Sequence, residues 1–229
     1  YGKLPIHRPL AIFASPFIRC IQTADAIAVE LEGLQRAGVF GKDNHSIKIC
    51  VEPGLVEDMR YMGGLKHREP WYLKAADLIC ISPRVDLTYQ PLRDVQFQRG
   101  PTYPGPCVEV GDPVHRLNTI AHEIAQHPLV AAGGTAIAVT HGKPSADLIR
   151  SLQPAPNGIA LPSYERIKAG KYDGPPLHYT AVTALQRDDD DDSWDLAPGF
   201  ELFSNSHDPR LVALRQNDAD RATRYVVGE

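Results

Sequence analysis

The chain alternates between short apolar segments of strand length and longer segments in which apolar residues recur every three or four positions. Residues 9–15 (PLAIFAS) are the first apolar segment, and we predict that Ser15 caps the following helix and that Pro16 is its first residue. The predicted buried face of this helix consists of Ile18, Ile21, Ala24, Ile27, Ala28, Leu31 and Leu34.

A second strand-to-helix unit occupies residues 135–152 (TAIAVTHGKPSADLIRSL), where the apolar segment ends at His141 and a helical pattern follows. Between the two units, residues 47–51 predict a strand and residues 113–127 predict a helix. Alternating strands and helices are typical of the α/β class. We therefore predict a three-layer sandwich with a mostly parallel central sheet flanked by helices.

Three residues with side chains suited to binding or catalysis stand just beyond predicted strands: Arg19, Glu57 and His141. In open parallel sheets, ligands bind outside the carboxyl ends of the strands. We therefore expect a single cleft to gather these three side chains.

The middle of the chain departs from this alternation. We interpret the region from about residue 58 to 114, which is rich in proline, as an ordered insertion or lid over the cleft. Residues 177–187 predict a late strand, and the aspartates at 188–192 predict a solvated turn. We predict a single domain over residues 1–229.

Composition narrows the function classes. The 229 residues are 43% hydrophobic and 23% charged with a net charge of −4, which is typical of a globular protein with a substantial core. The sequence shows no broad basic face of the kind that binds nucleic acid. It also contains no stretch that approaches the roughly 18 apolar residues of a membrane span. Cys20, Cys50, Cys80 and Cys107 lack metal-ligand spacing. We interpret them as free thiols, predict a cytoplasmic protein, and predict no metal and no cofactor.

Three segments occur in the order of one known family: ASPFIRCIQTA (14–24), VEPGLVE (51–57) and AVTHGK (138–143). Together they resemble the histidine phosphatase superfamily, in the branch that includes the cofactor-dependent phosphoglycerate mutases. The form of the middle segment, with DLTYQPL at 86–92 and a W-x-L tail at 194–196, is most similar to the Sts and ecdysteroid-phosphate phosphatase type. The resemblance implies a phosphoglycerate mutase-like fold.

The resemblance implies a role for each residue of the expected cleft. Arg19 binds the substrate phosphate, Glu57 donates a proton to the leaving group, and His141 is the second active-site histidine. Gly142 lets the backbone approach the phosphate closely. The residue types suit these roles, because a guanidinium forks onto two phosphate oxygens and a buried carboxyl keeps its proton near neutrality.

Each assignment has a structural alternative. Arg19 could simply face solvent, and His141 could be a strand-end histidine bonded to backbone. Glu52 or Asp58 could take the acid role, although we expect Glu52 to lie on a strand and to face away. Arg84 and Arg93, in the insertion, are weaker candidates for contacting the distal end of a substrate.

One part of the family's pattern is missing. The family begins with a strand ending in Arg-His-Gly, whose histidine becomes phosphorylated, and the 229-residue sequence contains no such triplet. Because that strand is central to the family's sheet, we expect an upstream segment of the full-length protein to supply it. The alternative is a degenerate member of the family.

The resemblance implies a phosphomonoesterase that hydrolyses phosphate esters through a phosphohistidine intermediate, on a small phosphorylated molecule or a phosphoprotein. Two alternatives stay open. Phosphoglycerate mutase-type transfer is one, because the stretch 58–75 carries a cluster of basic residues. A non-catalytic phosphate-pocket binding domain is the other, because the Arg-His-Gly triplet is missing. Neither nucleic acid nor membrane is predicted as a partner, and a homodimer is left open.

Overall fold

Residues 10–38, 46–58, 73–99, 107–109, 111–152, 183, 185–187 and 194–196 are described by a computed structural model. The strands are β1 (Leu10–Ala14), β2 (Ile49–Val51), β3 (Phe97–Arg99), β4 (Cys107–Glu109), β5 (Thr135–Val139), β6 (Leu185–Arg187) and β7 (Trp194–Leu196). The helices are α1 (Ile18–Arg36), α2 (Ala75–Leu78), α3 (Pro113–Ala125), α4 (Pro128–Ala131) and α5 (Gly142–Leu152). A 3₁₀ turn, Pro53–Leu55, follows β2.

A parallel sheet with the order β2-β1-β5 organises these elements. In its register, Ile12 of β1 lies opposite Ile49 on one side and Ile137 on the other. The ladder continues past the strand ends, since the Ser15 amide donates to the Val139 carbonyl at 2.9 Å and the Glu52 amide to the Ala14 carbonyl at 2.8 Å. The residues that leave all three strands therefore emerge at one edge.

Both faces of β1 are buried, and its side chains alternate between two cores. Ile12 and Ala14 pack with α1 and with β2 on one face. Ala11 and Phe13 pack with α3 and α5 on the other face. A strand that is apolar on both faces is typical of the centre of a parallel sheet. The predicted α/β class, with a mostly parallel sheet between helical layers, is confirmed.

Helix α1 begins later than predicted. Its N-cap is Phe17, which makes no side-chain capping bond, so neither Ser15 as N-cap nor Pro16 as first residue is correct. The buried stripe consists of Cys20, Ile21, Ala24, Ala28, Leu31 and Gln35. Ile18 and Leu34, predicted to be buried, are 42% and 43% exposed. At about 100° per residue, both lie roughly 100° from the centre of that stripe, which places them on its flanks.

The insertion contains structure that its composition did not predict. Strands β3 and β4 form an antiparallel hairpin in which Phe97 lies opposite Glu109. Nearer the sheet, the Ile49 amide donates to the Arg84 carbonyl and the Asp86 amide to the Ile49 carbonyl, each at 2.9 Å. This part of the insertion therefore extends the sheet beside β2. A lid over the cleft stays a prediction, and residues 59–72 lie outside the described part.

Glu52 anchors the insertion to the end of β2. It lies one residue beyond that strand rather than on it, is fully buried, and caps the 3₁₀ turn by accepting from the Gly54 amide. Its carboxylate also accepts from the Tyr89 hydroxyl and the Leu92 amide, each at 2.7 Å, and from the Arg93 amide at 3.2 Å. Burial raises the pKa of Glu52 against the opposing effect of these donors.

The late strands β6 and β7 pair antiparallel, with Gln186 opposite Asp195. This agrees with the strand predicted at the end of residues 177–187, whereas the aspartates at 188–192 lie outside the described part. Cys20, Cys50 and Cys80 carry free thiols, as predicted, and the side chain of Cys107 is outside the described part. No helix in the described ranges combines the length and apolar character needed to cross a membrane.

Gly54 is expected to tolerate no side chain. A Cβ at this position would lie 2.8 Å from Oε1 of Glu52 and 2.9 Å from Cγ1 of Ile120, both in the buried core. We expect Gly54→Ala to lower the free energy of unfolding by about 1–3 kcal/mol through overpacking. Urea denaturation measures the difference.

The matched control is Gly33→Ala. Gly33 lies inside α1, and nothing beyond its own stretch of helix comes within 4 Å of the place that a Cβ would occupy. Alanine in an open helical position is expected to raise the free energy of unfolding by about 0.5–1 kcal/mol. Equal effects of the two substitutions would contradict the packing described for Gly54.

Candidate functional site

The carboxyl edge of the sheet brings Arg19, Glu57 and His141 together. Arg19 lies in the first turn of α1, Glu57 follows the 3₁₀ turn after β2, and His141 lies between β5 and α5. Nη2 of Arg19 is 2.7 Å from Nδ1 of His141, and Oε2 of Glu57 is 3.8 Å from the same nitrogen. The structure brings these three side chains together, as expected from their positions just beyond the strand ends. Their roles stay predictions.

His141 is buried, and its hydrogen bonds define its protonation state. Arginine can only donate, so the Nδ1 atom that Arg19 contacts carries a lone pair. The proton of the ring is then on Nε2, which donates to Oγ of Ser15 at 2.9 Å. Burial, followed by the charges of Arg19 and Arg116, lowers the pKa of His141 to about 3. The ring is therefore neutral at ordinary pH and is held by side chains rather than by backbone.

Arg19 combines exposure to solvent with a fixed guanidinium. It lies among the exposed residues of α1. Its guanidinium nevertheless donates to His141 and lies 4.6 Å from the centre of the Phe17 ring. That ring packs edge-on against His141, with ring centres 4.8 Å apart. An arginine held in this way can receive a ligand without first losing side-chain freedom.

Glu57 presents a carboxyl whose environment favours the protonated form. Burial raises its pKa, and the amide of Asp58, which donates to Oε1 at 3.0 Å, opposes that rise. Because His141 is neutral, the 3.8 Å contact between Glu57 and the ring is not an ion pair. A carboxyl beside a neutral imidazole can supply a proton, as a general acid must.

The two alternative carboxylates are engaged with other groups. Asp58 is fully buried, and its Oδ2 is 3.2 Å from Nζ of Lys143. Glu52 accepts from the segment that begins at Tyr89, as described above. Of these three carboxyls, Glu57 is the one whose contact with His141 the structure shows, and the acid role stays a prediction.

Two helices begin at this edge and make it suited to an anion. The first amides of α1 and α5 have no partners within their helices, and the dipole of each helix places partial positive charge at its N-terminus. Gly142 is the first residue of α5, so its amide belongs to this set. In the described ranges, no three His, Cys, Asp or Glu side chains are grouped so that they could hold a metal ion.

Several site residues escaped sequence reasoning. Ser15 was predicted as a helix cap, but its hydroxyl oxygen accepts a hydrogen bond from His141, which is 126 positions away. The thiol of Cys20 lies 3.7 Å from Nε2 of that ring, and burial raises its pKa to about 11, which disfavours the thiolate. The apolar spacing around Ser15 and Cys20 carried no signal of either contact.

A buried ion pair also adjoins the site. Arg116 of α3 donates from Nε to Oε1 of Glu109 at 2.6 Å and from Nη1 to the carbonyl of Gly54. Both side chains of the pair are nearly fully buried. Arg116 thus links the β3–β4 hairpin to the 3₁₀ turn before Glu57, and its charge contributes to the low pKa of His141.

Arg84 and Arg93 fasten the insertion to helices. Arg84 contacts Asp25 at 3.0 Å and Glu32 at 2.9 Å, both on α1. Arg93 donates from Nε to Glu123 of α3 at 2.8 Å. These ion pairs give both arginines structural partners, and the substrate contact considered from the sequence stays a prediction.

The neutral state of His141 makes stability depend on pH. Its pKa of about 3 in the folded protein lies below the ordinary value of 6.5, so between these values the unfolded chain binds a proton that the folded protein does not. Stability therefore falls as pH decreases through this window, by about 1.4 kcal/mol per pH unit. We expect the loss between about pH 7 and about pH 5 to be about 2 kcal/mol smaller in His141→Gln than in the wild type.

Urea denaturation at the two pH values measures this difference. The control is His122→Gln, which changes an exposed histidine of α3 and is expected to retain the wild-type pH dependence. An identical pH dependence in the wild type and His141→Gln would contradict the neutral, buried ring.

No protein-family profile matches the chain, and no curated protein matches its sequence. Its structure is similar to the crystal structure of the ecdysone phosphate phosphatase EPPase from Bombix mori in complex with tungstate. The TM-score is 0.52 at 20% sequence identity, over 88% of this chain and 69% of that chain. At this identity the likeness shows a shared fold, in agreement with the predicted α/β architecture.

Proposed function

We propose that the protein hydrolyses phosphate monoesters, of a small phosphorylated molecule or a phosphoprotein, at the edge formed by Arg19, Glu57 and His141. The observation that carries the proposal is the grouping of a preorganised guanidinium, a neutral imidazole and a partly buried carboxyl at two helix N-termini. Phosphoryl transfer uses each of these groups. The motif resemblance and the fold shared with a phosphatase support the same reaction class.

A bound phosphate is expected to replace the hydrogen bond between Arg19 and His141. The guanidinium then forks onto two phosphoryl oxygens, and the amides at the start of α1 and α5 can donate to the same group. A dianion beside the ring favours its protonation. Nδ1 accepts from Arg19 in the free site and would then donate to a phosphoryl oxygen. The hydrogen bond from Nε2 to Oγ of Ser15 would keep the orientation of the ring.

Glu57 is proposed to protonate the departing alkoxide. Its raised pKa keeps the carboxyl protonated to a higher pH than an ordinary glutamate, and a bound phosphate dianion raises the pKa further. Protonation matters most for alkyl esters, whose alkoxides leave poorly, and least for esters of weakly basic phenols. The leaving group therefore provides a test of this role.

The reaction also needs a nucleophile. The family resemblance assigns it to the histidine of an Arg-His-Gly triplet, which the 229-residue sequence does not contain. Covalent hydrolysis in two steps, transfer to this histidine and then to water, is thus proposed for the full-length protein. Arg19 would stabilise the charge of the phosphoryl group in both steps.

Phosphate recognition without turnover is the second candidate. Its support is that Arg19 and the helix N-termini can bind a phosphate group without a nucleophile. In this case Glu57 and His141 would shape the pocket rather than move protons. Both candidates use the same anion site and differ only in chemistry.

Hydrolysis of p-nitrophenyl phosphate by the full-length protein in the presence of EDTA distinguishes the candidates. The hydrolytic proposal predicts equimolar release of nitrophenol and orthophosphate at a rate independent of EDTA, because Arg19 and the helix N-termini supply the positive charge. Binding of orthophosphate without turnover would support the second candidate. A phosphoenzyme that passes its phosphoryl group to another hydroxyl would indicate a mutase, and activity abolished by EDTA would contradict the mechanism.

A further inference from the structure

A lysine is buried two residues after His141. Lys143, in the first turn of α5, is 5% exposed, and its Nζ lies 2.6 Å from Oδ2 of Asp147, one turn further along the helix. The same Nζ lies 3.2 Å from Oδ2 of Asp58, which belongs to the loop after the 3₁₀ turn. Both carboxylates are nearly or fully buried. The lysine thus cross-links α5 to the loop that carries Glu57.

The carboxylates of Asp147 and Asp58 link Lys143 to different parts of the chain. Asp147 lies on the same helix as Lys143 and is also contacted by Arg150 at 3.0 Å, so that pairing stays within α5. Asp58 brings its charge from a different part of the chain. Because pulling opposite buried charges apart is unfavourable, the Lys143–Asp58 pair resists separation of the loop from α5.

The ion pair between Lys143 and Asp58 also restrains Glu57, the residue before Asp58 in the same loop. The amide of Asp58 donates to Oε1 of Glu57 at 3.0 Å, and Oε2 of the same carboxyl lies 3.8 Å from Nδ1 of His141. Asp58 therefore contacts Lys143 through its side chain and Glu57 through its backbone. His141 and Lys143 are two residues apart. The contact of Lys143 with Asp58 and the contact of His141 with Glu57 therefore both depend on the position of the start of α5.

We propose that the buried Lys143–Asp58 pair holds Glu57 beside His141, in position to protonate the leaving group, so that Lys143 and Asp58 are positioning residues of the site. The inference rests on the proposed function, in which Glu57 is the proton donor. Among the residues that the structure describes, four groups act on its carboxyl: Arg19 from α1, Asp58 from its own loop, Lys143 from α5, and the His141 ring. Loss of the pair is expected to leave Arg19 in place and to release Glu57.

The experiment compares two esters in the full-length protein. Hydrolysis of glycerol phosphate needs a proton for its alkoxide, whereas dinitrophenyl phosphate releases a phenolate that needs none. We expect Asp58→Asn and Lys143→Met to lower kcat for glycerol phosphate about tenfold to a hundredfold relative to dinitrophenyl phosphate. The double variant Asp58→Asn/Lys143→Gln, which retains a neutral hydrogen-bonding pair, is expected to recover part of the loss and provides a folded variant if the single variants unfold.

Asp147→Asn is the matched control. It removes a buried carboxylate from the same lysine but leaves the link between Lys143 and Asp58. The variant is expected to lose stability yet keep the wild-type ratio of the two rates. An equal change of that ratio in Asp147→Asn and Asp58→Asn would overturn the positioning role, and so would an unchanged ratio in all folded variants.

An activity-free measurement separates this inference from the proposed function. Burial is the main cause of the raised pKa of Glu57, so release of its side chain to solvent is expected to lower that pKa in Lys143→Met, where loss of the lysine charge alone would raise it. Carboxyl-carbon NMR titration detects the shift, which Asp147→Asn should lack. A wild type that hydrolyses neither ester would overturn the proposed hydrolysis, while the titration would still decide the inference. A Glu57 pKa that is unchanged or raised in Lys143→Met would overturn the inference.

Discussion

Arg19→Met is expected to reduce kcat/KM for p-nitrophenyl phosphate by about a thousandfold in the full-length protein. Arg19 is the charged group held at the mouth of the site by His141 and by the Phe17 ring. Methionine has a similar length and packs on the same ring, so the loss reports the missing charge rather than a cavity. Circular dichroism and thermal unfolding verify that the variant is folded.

The control for this prediction is Arg36→Met. Arg36 lies in the last turn of the same helix and is exposed, far along α1 from the first turn. Its replacement is expected to change kcat/KM by less than about twofold. Similar losses in the two variants, or no loss in Arg19→Met, would contradict the assignment of Arg19 to the phosphate.

Glu57→Gln is expected to reduce kcat for glycerol phosphate by about a hundredfold to ten-thousandfold and to affect dinitrophenyl phosphate far less. Glutamine keeps the size and the contact with the Asp58 amide but cannot donate an acidic proton. In the wild type, the rate for the alkyl ester should fall as pH rises through the raised pKa of Glu57, because the acid form is lost. Glu57→Gln should lack this alkaline limb.

Glu30→Gln is the matched control, because Glu30 is an exposed carboxylate of α1. It is expected to retain the rates and the pH profile of the wild type for both esters. An equal loss for both esters in Glu57→Gln would show that Glu57 supports the structure of the site and does not protonate the leaving group.

Local sequence patterns were sufficient to predict the strands and helices that position the site residues. The apolar segment before Ser15 is β1, and the apolar segment before His141 is β5, each followed by a helix. Because parallel strands place their carboxyl ends at one edge, these two local signals already predicted that Arg19 and His141 would meet. The structure adds the distance between them and the protonation state of the ring.

Contacts between distant parts of the chain could not be predicted in the same way. Ser15-Pro16 has the local chemistry of a helix start, yet the serine hydroxyl bonds His141 and the helix begins at Ile18. A hydroxyl can satisfy either partner, and only tertiary packing decides between them. Local propensity therefore predicted the helix but misplaced its first residue.

The buried charges were the least predictable part of the site. Asp58 and Lys143 are polar residues that composition alone places on the surface, and they are buried because each is paired with a residue of another segment. The β3–β4 hairpin was missed for a related reason. Its strands are three residues long in a proline-rich region, so they show no period from which a strand could be identified.

Arg19, His141 and the starts of α1 and α5 are proposed to form one phosphate-binding site, and titration of the protein with orthophosphate in a calorimeter tests this proposal most directly. We expect saturable binding at a single site in the wild type, and binding about tenfold to a hundredfold weaker in Arg19→Met. Equal affinity in the wild type and Arg19→Met, or no binding by the wild type, would contradict it.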